Sequence, residues 1–125
     1  MNDFSHSSKD FGMRMATGEY ILHFNINNIL YSYCLDVLSK KIDETQIPVI
    51  IFSIIHHKIN PYIPFRGIPP VPYNIDALQL VAKYNIWKEI DYWYDKENVA
   101  DGRIYENICN KYSWCHIEDV LAENF

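Results

Sequence analysis

Apolar residues recur along this chain at intervals that predict helices more often than strands. The clearest case is residues 75–95, where apolar side chains recur every three or four positions: Ile75, Leu78, Ala82, Ile86, Ile90 and Trp93. This spacing is typical of the buried face of an α-helix. Asn74 is suited to cap such a helix, and Gly102 is suited to the turn that follows it. The pattern therefore predicts one long central helix.

Three further segments carry shorter helical patterns. A helix capped by Asn27 or Asn28 is predicted to run to about Lys41. Two more are predicted in residues 103–112 and 116–125. The helix that ends near Lys41 is predicted from the apolar positions Leu30, Cys34, Val37 and Leu38. The helix in residues 103–112 is predicted from Ile104, Ile108 and Tyr112.

Two segments are candidates for strands. Residues 19–26 alternate apolar and polar side chains, as a half-buried strand does, although the start of a helix also fits. Residues 46–58 contain a continuous apolar run rich in β-branched residues, which favours a buried strand. Pro48 near its start equally suits the first turn of a helix, so periodicity leaves residues 47–55 open between strand and helix.

These patterns predict a mainly α, small single-domain helical protein with a possible short two-strand element from residues 19–26 and 47–55. The alternative is an α+β fold with a larger sheet that includes both segments. Residues 1–18 are polar and serine-rich, which predicts a flexible N-terminal arm. Residues 19–125 then form a single globular domain.

Five of the six prolines fall in residues 59–74, INPYIPFRGIPPVPYN. Proline removes a backbone donor, which excludes a helix or a central strand here. The sequences PYIP and PPVP fit the PxxP pattern of ligands for SH3-like grooves. Because the segment also carries Ile, Tyr and Phe, a rigid loop packed along the surface is the favoured interpretation.

Several observations concern the cellular compartment. The first residues contain no apolar signal-peptide core, and the longest apolar run, IPVIIFSII, has nine residues where a membrane-spanning helix needs about 20. The three cysteines, Cys34, Cys109 and Cys115, are an odd number without framework spacing, which predicts free thiols. Together these features predict a cytoplasmic protein that does not bind membranes.

Charge is distributed unevenly along the chain. Residues 1–85 contain seven acids and seven Lys or Arg, whereas residues 86–125 contain nine acids and four, so the whole net charge of −5 lies in the last forty residues. All three tryptophans lie there as well. Because nucleic-acid phosphates require Lys and Arg, this region argues against direct nucleic-acid binding and favours a basic protein partner.

No recognised catalytic, cofactor or metal motif is present. The four glycines are isolated, so no glycine-rich loop could hold a phosphate, and the His and Cys residues lack zinc-ligand spacing. We therefore assign no catalytic residue, no metal and no cofactor. A small enzyme that uses Cys109, Cys115 or a histidine remains the alternative from another class.

The segment IDYWYDKEN, residues 90–98, combines acids with aromatic residues. On the predicted helix, a second stripe containing Leu80, Tyr84, Trp87, Asp91 and Tyr94 lies about 140° from the first. Burial against another helix is the simple interpretation. An acidic aromatic recognition surface is the alternative, because Tyr and Trp are good interface anchors. Its predicted partner-binding residues are Tyr84, Trp87, Asp91, Tyr94, Asp95 and Glu97. If these residues do not bind the partner, the acids of 118–123 or the proline-rich loop are the next candidates for the interface.

In size, acidity and the segment IWKEIDYWYDKE, residues 86–97, the chain resembles the small immunity proteins that neutralise bacterial toxins. The resemblance is to a class of proteins and is carried by no family motif. It implies a stoichiometric inhibitor that binds a basic toxin, typically a nuclease, and shuts out its nucleic-acid substrate. A phage-type inhibitor of a host nucleic-acid-binding protein has the same physical requirements.

Overall fold

The computed structural model describes residues 19–91, 93 and 100–125. They form six strands and three helices: β1 (Tyr20–Leu22), β2 (Asn28–Leu30), α1 (Cys34–Thr45), β3 (Val49–His56), β4 (Asn60–Phe65), β5 (Leu80–Lys83), α2 (Tyr84–Glu89), α3 (Ala100–Lys111) and β6 (Trp114–Asn124). A short 3-10 turn, Ala77–Gln79, precedes β5. The predicted N-terminal arm, residues 1–18, lies outside the described residues.

Strand β3 lies at the centre of one mixed sheet. β6 runs parallel to β3 on one side, while β5 and β4 pair antiparallel with the first and second halves of β3 on the other side. β1 extends the sheet beyond β5, and β2 extends it beyond β6. The sequence VIIFSIIH suits this position, because its β-branched side chains favour strands and its continuous apolar run permits burial on both faces.

The two faces of the sheet carry separate hydrophobic clusters. Val49 and Ile51 of β3 face a cluster formed with α2 and α3, which includes Ile86, Trp87, Trp93, Ile104, Tyr105 and Ile108. Ile50, Phe52 and Ile54 face a second cluster formed with α1 and β6, which includes Cys34, Leu38, Ile117 and Leu121. Helices therefore cover both faces of β3, as its alternating apolar side chains require.

The expectation of a mainly helical fold is wrong. The molecule is built on a six-stranded mixed sheet, and both segments that were candidates for strands contribute to it. The alternative with a larger sheet is the closer description. The first helix also begins later than predicted, at Cys34, because residues 28–30 pair with β6 and are thereby held in an extended conformation.

The single helix predicted for residues 75–95 is also wrong. The segment contains the 3-10 turn, strand β5 and six residues of α2, which ends before Asp91 at a left-handed φ of 67°. Leu80 and Ala82 alternate with Val81 across the sheet, so both faces of β5 are buried. Most apolar residues of the predicted stripe do share one cluster, but they reach it from a strand, a short helix and the connections between them.

A helix was predicted for residues 116–125, but residues 116–124 belong to β6. The β3–β6 register shifts twice, because Phe52 pairs with Ile117 whereas Ser53 pairs with Val120 and Ile54 with Ala122. These bulges add residues to β6 and interrupt the alternation of a regular strand. Ile117 and Leu121 consequently face the same cluster although they are four residues apart, which is the spacing of a helix.

Other expectations are confirmed. Helix α3 covers most of the predicted segment 103–112, although it begins three residues earlier. The proline-rich segment contains no helix up to residue 74, and its strand β4 is not central, because in the described part of the chain it pairs with β3 alone. Cys34, Cys109 and Cys115 are free thiols. Among the described residues, no helix has the length and apolar character needed to cross a membrane.

We expect Trp87→Ala to lower the free energy of unfolding by about 3–5 kcal/mol, and Ile86→Ala by about 2–4 kcal/mol. Both side chains lie in the same cluster and Trp87 is 0% exposed, so each truncation leaves a cavity. Urea unfolding followed by circular dichroism measures both losses. Asn85→Ala, at an exposed neighbour, should change stability by less than about 0.5 kcal/mol. A similarly small loss at Trp87 would contradict this description of the core.

Candidate functional site

A cavity of ≈200 Å³ lies where β3 ends. We call it the acidic pocket, and define it by its lining residues His56, Ile59, Phe65, Tyr73, Ile75, Asp76 and Asp101. They come from the end of β3, the β3–β4 hairpin, the segment before the 3-10 turn and the first turn of α3. Two carboxylates thus converge with aromatic and aliphatic side chains, and no Lys or Arg is among the described residues that line the pocket.

Asp76 is held in place by its own hydrogen bonds. Its Oδ2 accepts a hydrogen bond from the Leu78 backbone N–H (3.1 Å), and its Oδ1 accepts one from Asn124 Nδ2 (3.0 Å). His56 Nε2 lies 3.5 Å from the same Oδ1, and the Asp76 side chain is 19% exposed. The sequence Asp76-x-x-Gln79 forms a capping box, because Gln79 Oε1 accepts a hydrogen bond from the Asp76 N–H. The carboxylate position is therefore fixed by backbone and side-chain donors.

Asp101 brings the second carboxylate to the pocket from α3. Its Oδ1 accepts a hydrogen bond from the Gly102 backbone N–H (2.8 Å) at the start of that helix. The Tyr105 hydroxyl, one turn later, donates to the carbonyl of Ala77 (2.6 Å) and joins α3 to the 3-10 turn. Burial raises the pKa of Tyr105 well above its usual value, and the charges of Asp101 and Asp76 raise it further. Both acids therefore act on the same small region.

The β3–β4 hairpin forms one wall of the acidic pocket through Ile59 and Phe65. Between two paired positions, β3 has one residue while β4 has four, residues 61–64, so these four bulge out of the ladder. We call them the proline bulge, because a proline stands at each end and restricts the backbone. Tyr62 is 90% exposed, and Ile63 is also exposed. The hairpin thus presents large side chains to solvent on a stiff backbone.

A second histidine–carboxylate pair lies beside the pocket, where β6 ends. His57 Nε2 is 2.5 Å from Glu123 Oε1, and the Tyr31 hydroxyl donates to Glu123 Oε2 (3.0 Å). The His57 ring stacks on Phe125 at 3.9 Å between centroids. The hydrogen bond from His57, followed by that from Tyr31, lowers the pKa of Glu123. These contacts hold the hairpin, β2 and the end of β6 together beside the acidic pocket.

Another cavity, of ≈390 Å³, lies between α1 and β6. It is lined by both signs of charge: Lys40, Lys41, Glu44, His116, Glu118 and Asp119, with two aliphatic residues. Several of these groups are already paired, since Lys40 lies near Glu44 and Arg66 forms a bidentate pair with Glu118. Mixed and internally neutralised charge gives this cavity less selectivity for a charged partner than the acidic pocket has.

The predicted recognition residues are not brought together as expected. Trp87 is completely buried, so its side chain offers no surface to a partner. Tyr84 is half-buried where β5 meets α2, and Asp91 is exposed beyond the end of α2. Tyr94, Asp95 and Glu97 lie outside the described residues. Asp91 does not continue the predicted helical stripe, because α2 ends at Glu89.

The three cysteine thiols are poor nucleophiles in this fold. Burial raises the pKa of Cys109 to about 12 and also raises the pKa of Cys34. Burial raises the pKa of Cys115 as well, although the charge of Lys41 opposes this. Because the thiolate is the reactive form, a raised pKa leaves little of it near neutral pH.

Tyr73, Asp76 and Asp101 are not among the site residues that the sequence pattern predicts. The available local signal was the capping-box spacing of Asp76 and Gln79, which locates a turn and says nothing about a pocket. The proline-rich loop was named as an alternative interface, and it supplies Ile59, Phe65 and Tyr73. Asp101 comes from a separate segment, so its approach to Asp76 depends on the tertiary fold.

Comparisons with known proteins find a similar fold but identify no family. No family model matches the chain, and no curated protein matches it. The crystal structure of S. aureus TarS 1-349 is similar in fold, with a TM-score of 0.74 and 11% sequence identity. The similarity covers 96% of this chain and 40% of that chain, so the chain spans well under half of that structure. At this identity the comparison shows a shared fold alone.

We expect Gly102→Ala to destabilise the pocket region and the whole fold. A Cβ at this position would clash with Pro72 Cα and lie 2.8 Å from Pro72 N, which are backbone atoms that cannot move aside cheaply. Overpacking of this kind costs about 1–3 kcal/mol. Thermal unfolding measures the loss, and Ala100→Gly, which removes a methyl group from the same helical turn, serves as the comparison. A melting temperature unchanged by Gly102→Ala would contradict this close approach.

We expect the raised pKa of Tyr31 to stabilise the folded state at neutral pH. This stabilisation should be lost as pH rises towards the pKa of Tyr31 in the folded state. Burial, with the Glu123 hydrogen bond and charge, raises the pKa of Tyr31 to about 12, against about 10 in the unfolded chain. The unfolded state therefore releases this proton first, and the contribution is lost as pH rises from about 10 to 12. Stability measured across this range should fall less steeply for Tyr31→Phe than for the wild type. Identical slopes would contradict the assignment.

Proposed function

We propose that this chain is a non-catalytic binding protein that recognises a basic protein through the acidic pocket and the proline bulge. The observation that carries the proposal is the pocket itself, in which Asp76 and Asp101 converge without a lining Lys or Arg in the described part of the chain. Carboxylates held in this way attract a cationic partner, both by steering its approach and by fixing its orientation.

The exposed side chains around the pocket support a protein partner. Tyr62 and Ile63 project from the proline bulge, and Ile59 and Tyr73 are exposed although they also line the pocket. Tyrosine is enriched among the residues that dominate binding energy, because it combines a large rigid ring with a polar hydroxyl. Large side chains surrounding a small charged pocket are thus suited to a protein surface.

The rival interpretation, a small enzyme that uses Cys or His, receives less support from the geometry. No Cys, Ser or Thr is among the described residues that line the acidic pocket, and burial raises the pKa of all three thiols. His56 lines the pocket, but its Nε2 lies against Asp76 and Asn124 and its Nδ1 is buried. A binding role needs none of these groups to react.

The narrower hypothesis is that of an immunity-type inhibitor, in which the basic partner is a toxin, typically a nuclease. It stays a prediction, as does the cytoplasmic location. The expectation of a basic partner is retained, but the proposed interface moves from residues 84–97 to the acidic pocket, of whose two acids Asp101 lies in the acidic last forty residues and Asp76 does not. Under this hypothesis, the acidic surface blocks the partner's groove for nucleic acid, and no residue of this chain performs chemistry.

We expect Asp101→Lys to weaken binding to the basic partner by about 100-fold, which corresponds to ~3 kcal/mol. The new ammonium group would repel the partner's cation and neutralise Asp76. The partner is first isolated by affinity capture with the wild-type chain, identified and purified, and binding is then measured by surface plasmon resonance. Association of the wild type should also slow as salt rises, because screening shortens the range of the attraction.

Asp43→Lys is the matched control. It changes the net charge by the same amount at an exposed position on α1, which covers the opposite face of the sheet. This control should bind within about twofold of the wild type after correction for long-range steering. Circular dichroism confirms that each variant is folded. Equal weakening by both variants, or a captured partner that is acidic, would contradict the proposed interface.

A further inference from the structure

The size of the acidic pocket restricts what can fill it. Its volume of ≈200 Å³ lies below the range of about 300–1,000 Å³ that is usual for sites of small-molecule ligands and cofactors. A single long side chain from a partner is a better match. Ile59, Phe65 and Ile75 supply apolar walls for the aliphatic part of such a side chain, while Asp76 and Asp101 supply acceptors for a charged end.

The described hydrogen bonds of Asp76 leave part of its carboxylate available to pair with a cation. Its described partners are the Leu78 N–H, Asn124 Nδ2 and His56, and the first two are neutral donors. Each carboxylate oxygen has two lone pairs, and Oδ2 accepts from the Leu78 N–H alone among the described partners, so Oδ2 retains acceptor capacity. The capping box keeps the carboxylate in place before a partner arrives, which reduces the entropy lost on binding.

The pocket walls favour a guanidinium group over an ammonium group. The Phe65 ring stands edge-on to His56, with centroids 5.8 Å apart, and the Tyr73 ring lies at the rim. Guanidinium is planar and weakly hydrated, stacks on aromatic rings and pairs with carboxylates through two parallel hydrogen bonds. Ammonium is compact and strongly hydrated, so it would lose more hydration energy between apolar walls.

The backbone of Tyr73 is consistent with a role in recognition. Its φ is 68°, a left-handed conformation that a bulky side chain rarely adopts, and yet its side chain is 83% exposed. Asn74 closes the loop around it, since the Asn74 N–H donates to the Val71 carbonyl and the Asn74 Nδ2 donates to the Pro69 carbonyl. The fold thus holds an aromatic ring in solvent beside the pocket at a conformational cost.

We propose that the acidic pocket receives one arginine side chain of the basic protein partner, with its guanidinium group paired to Asp76 and Asp101 and its plane against the aromatic walls. This inference rests on the proposed function and adds to it the residue type that the pocket recognises. The source of the arginine is a protein surface, because the exposed tyrosines of the bulge and rim have no role in binding a free small molecule of this size.

The test uses capped amino acids as probes of the isolated 125-residue chain. N-acetyl-L-arginine methylamide, its lysine counterpart and its citrulline counterpart are titrated into ¹⁵N-labelled protein, and amide shifts are followed by NMR. Citrulline has nearly the shape of arginine without its charge, so it isolates the contribution of the cation. We expect saturable shifts for arginine, centred on residues 73–78 and 101–102, with weaker binding of lysine and none of citrulline.

Two substitutions locate the binding. Asp76→Asn retains a capping side chain and an acceptor, and should weaken arginine binding about tenfold, as expected for loss of one charge-assisted pair. Tyr73→Asn removes the ring while placing at this φ a residue that tolerates it, so it should weaken binding without lowering the melting temperature. Asp43→Asn, on the opposite face, should bind arginine as the wild type does.

Several outcomes would overturn the inference. Citrulline that binds as well as arginine would exclude recognition of charge, and lysine that binds as well would exclude recognition of guanidinium. Agmatine binding with a dissociation constant below about 1 µM would indicate a small-molecule receptor instead of a protein-docking pocket. Failure of all probes, alongside a partner that still loses affinity with Asp101→Lys, would reject the arginine assignment and leave the proposed function standing.

Discussion

The structure depends on the burial of strand β3, whose first six residues are buried and which must satisfy both its faces and both its edges at once. Buried backbone groups need hydrogen-bond partners, and β3 obtains them from β6 on one side and from β5 and β4 on the other. Its alternating apolar side chains require cover above and below, which α1 supplies on one face and α2 with α3 on the other. Each of these elements is positioned by its contact with this strand.

The bulges of β6 transmit that constraint to the site. Two register shifts between β3 and β6 let the longer strand follow the shorter one, and the last pairs bring Glu123 opposite Ile55 and Asn124 opposite His56. Asn124 then donates to Asp76, while Glu123 accepts from Tyr31 and pairs with His57. The end of the sheet is thus fixed by a polar network, and the acidic pocket is built against it.

The pocket also shows how separate parts of the chain hold charge in place without a bound partner. Asp76 is fixed by the turn that it caps, and Asp101 by the first turn of α3. The close approach of Gly102 to Pro72 joins that helix to the proline-rich segment carrying Tyr73. The same segment gains stiffness from its prolines. An acidic site of this kind is prepared before binding, so little conformational entropy is lost when a cation enters.

The sequence by itself determined which residues are apolar enough to enter a core, where the prolines exclude a helix or a central strand, and that the negative charge is concentrated late in the chain. It also located α3, because Ile104 and Ile108 lie on one face of an ordinary amphipathic helix. Only the tertiary structure decided that β5 and β6 are strands. A strand buried on both faces shows no alternation, and bulges give Ile117 and Leu121 a helical spacing. The pocket was beyond sequence reasoning for a related reason: Asp76 and Asp101 are brought together by the packing of α3 against the sheet, and local periodicity carries no information about contacts between distant segments.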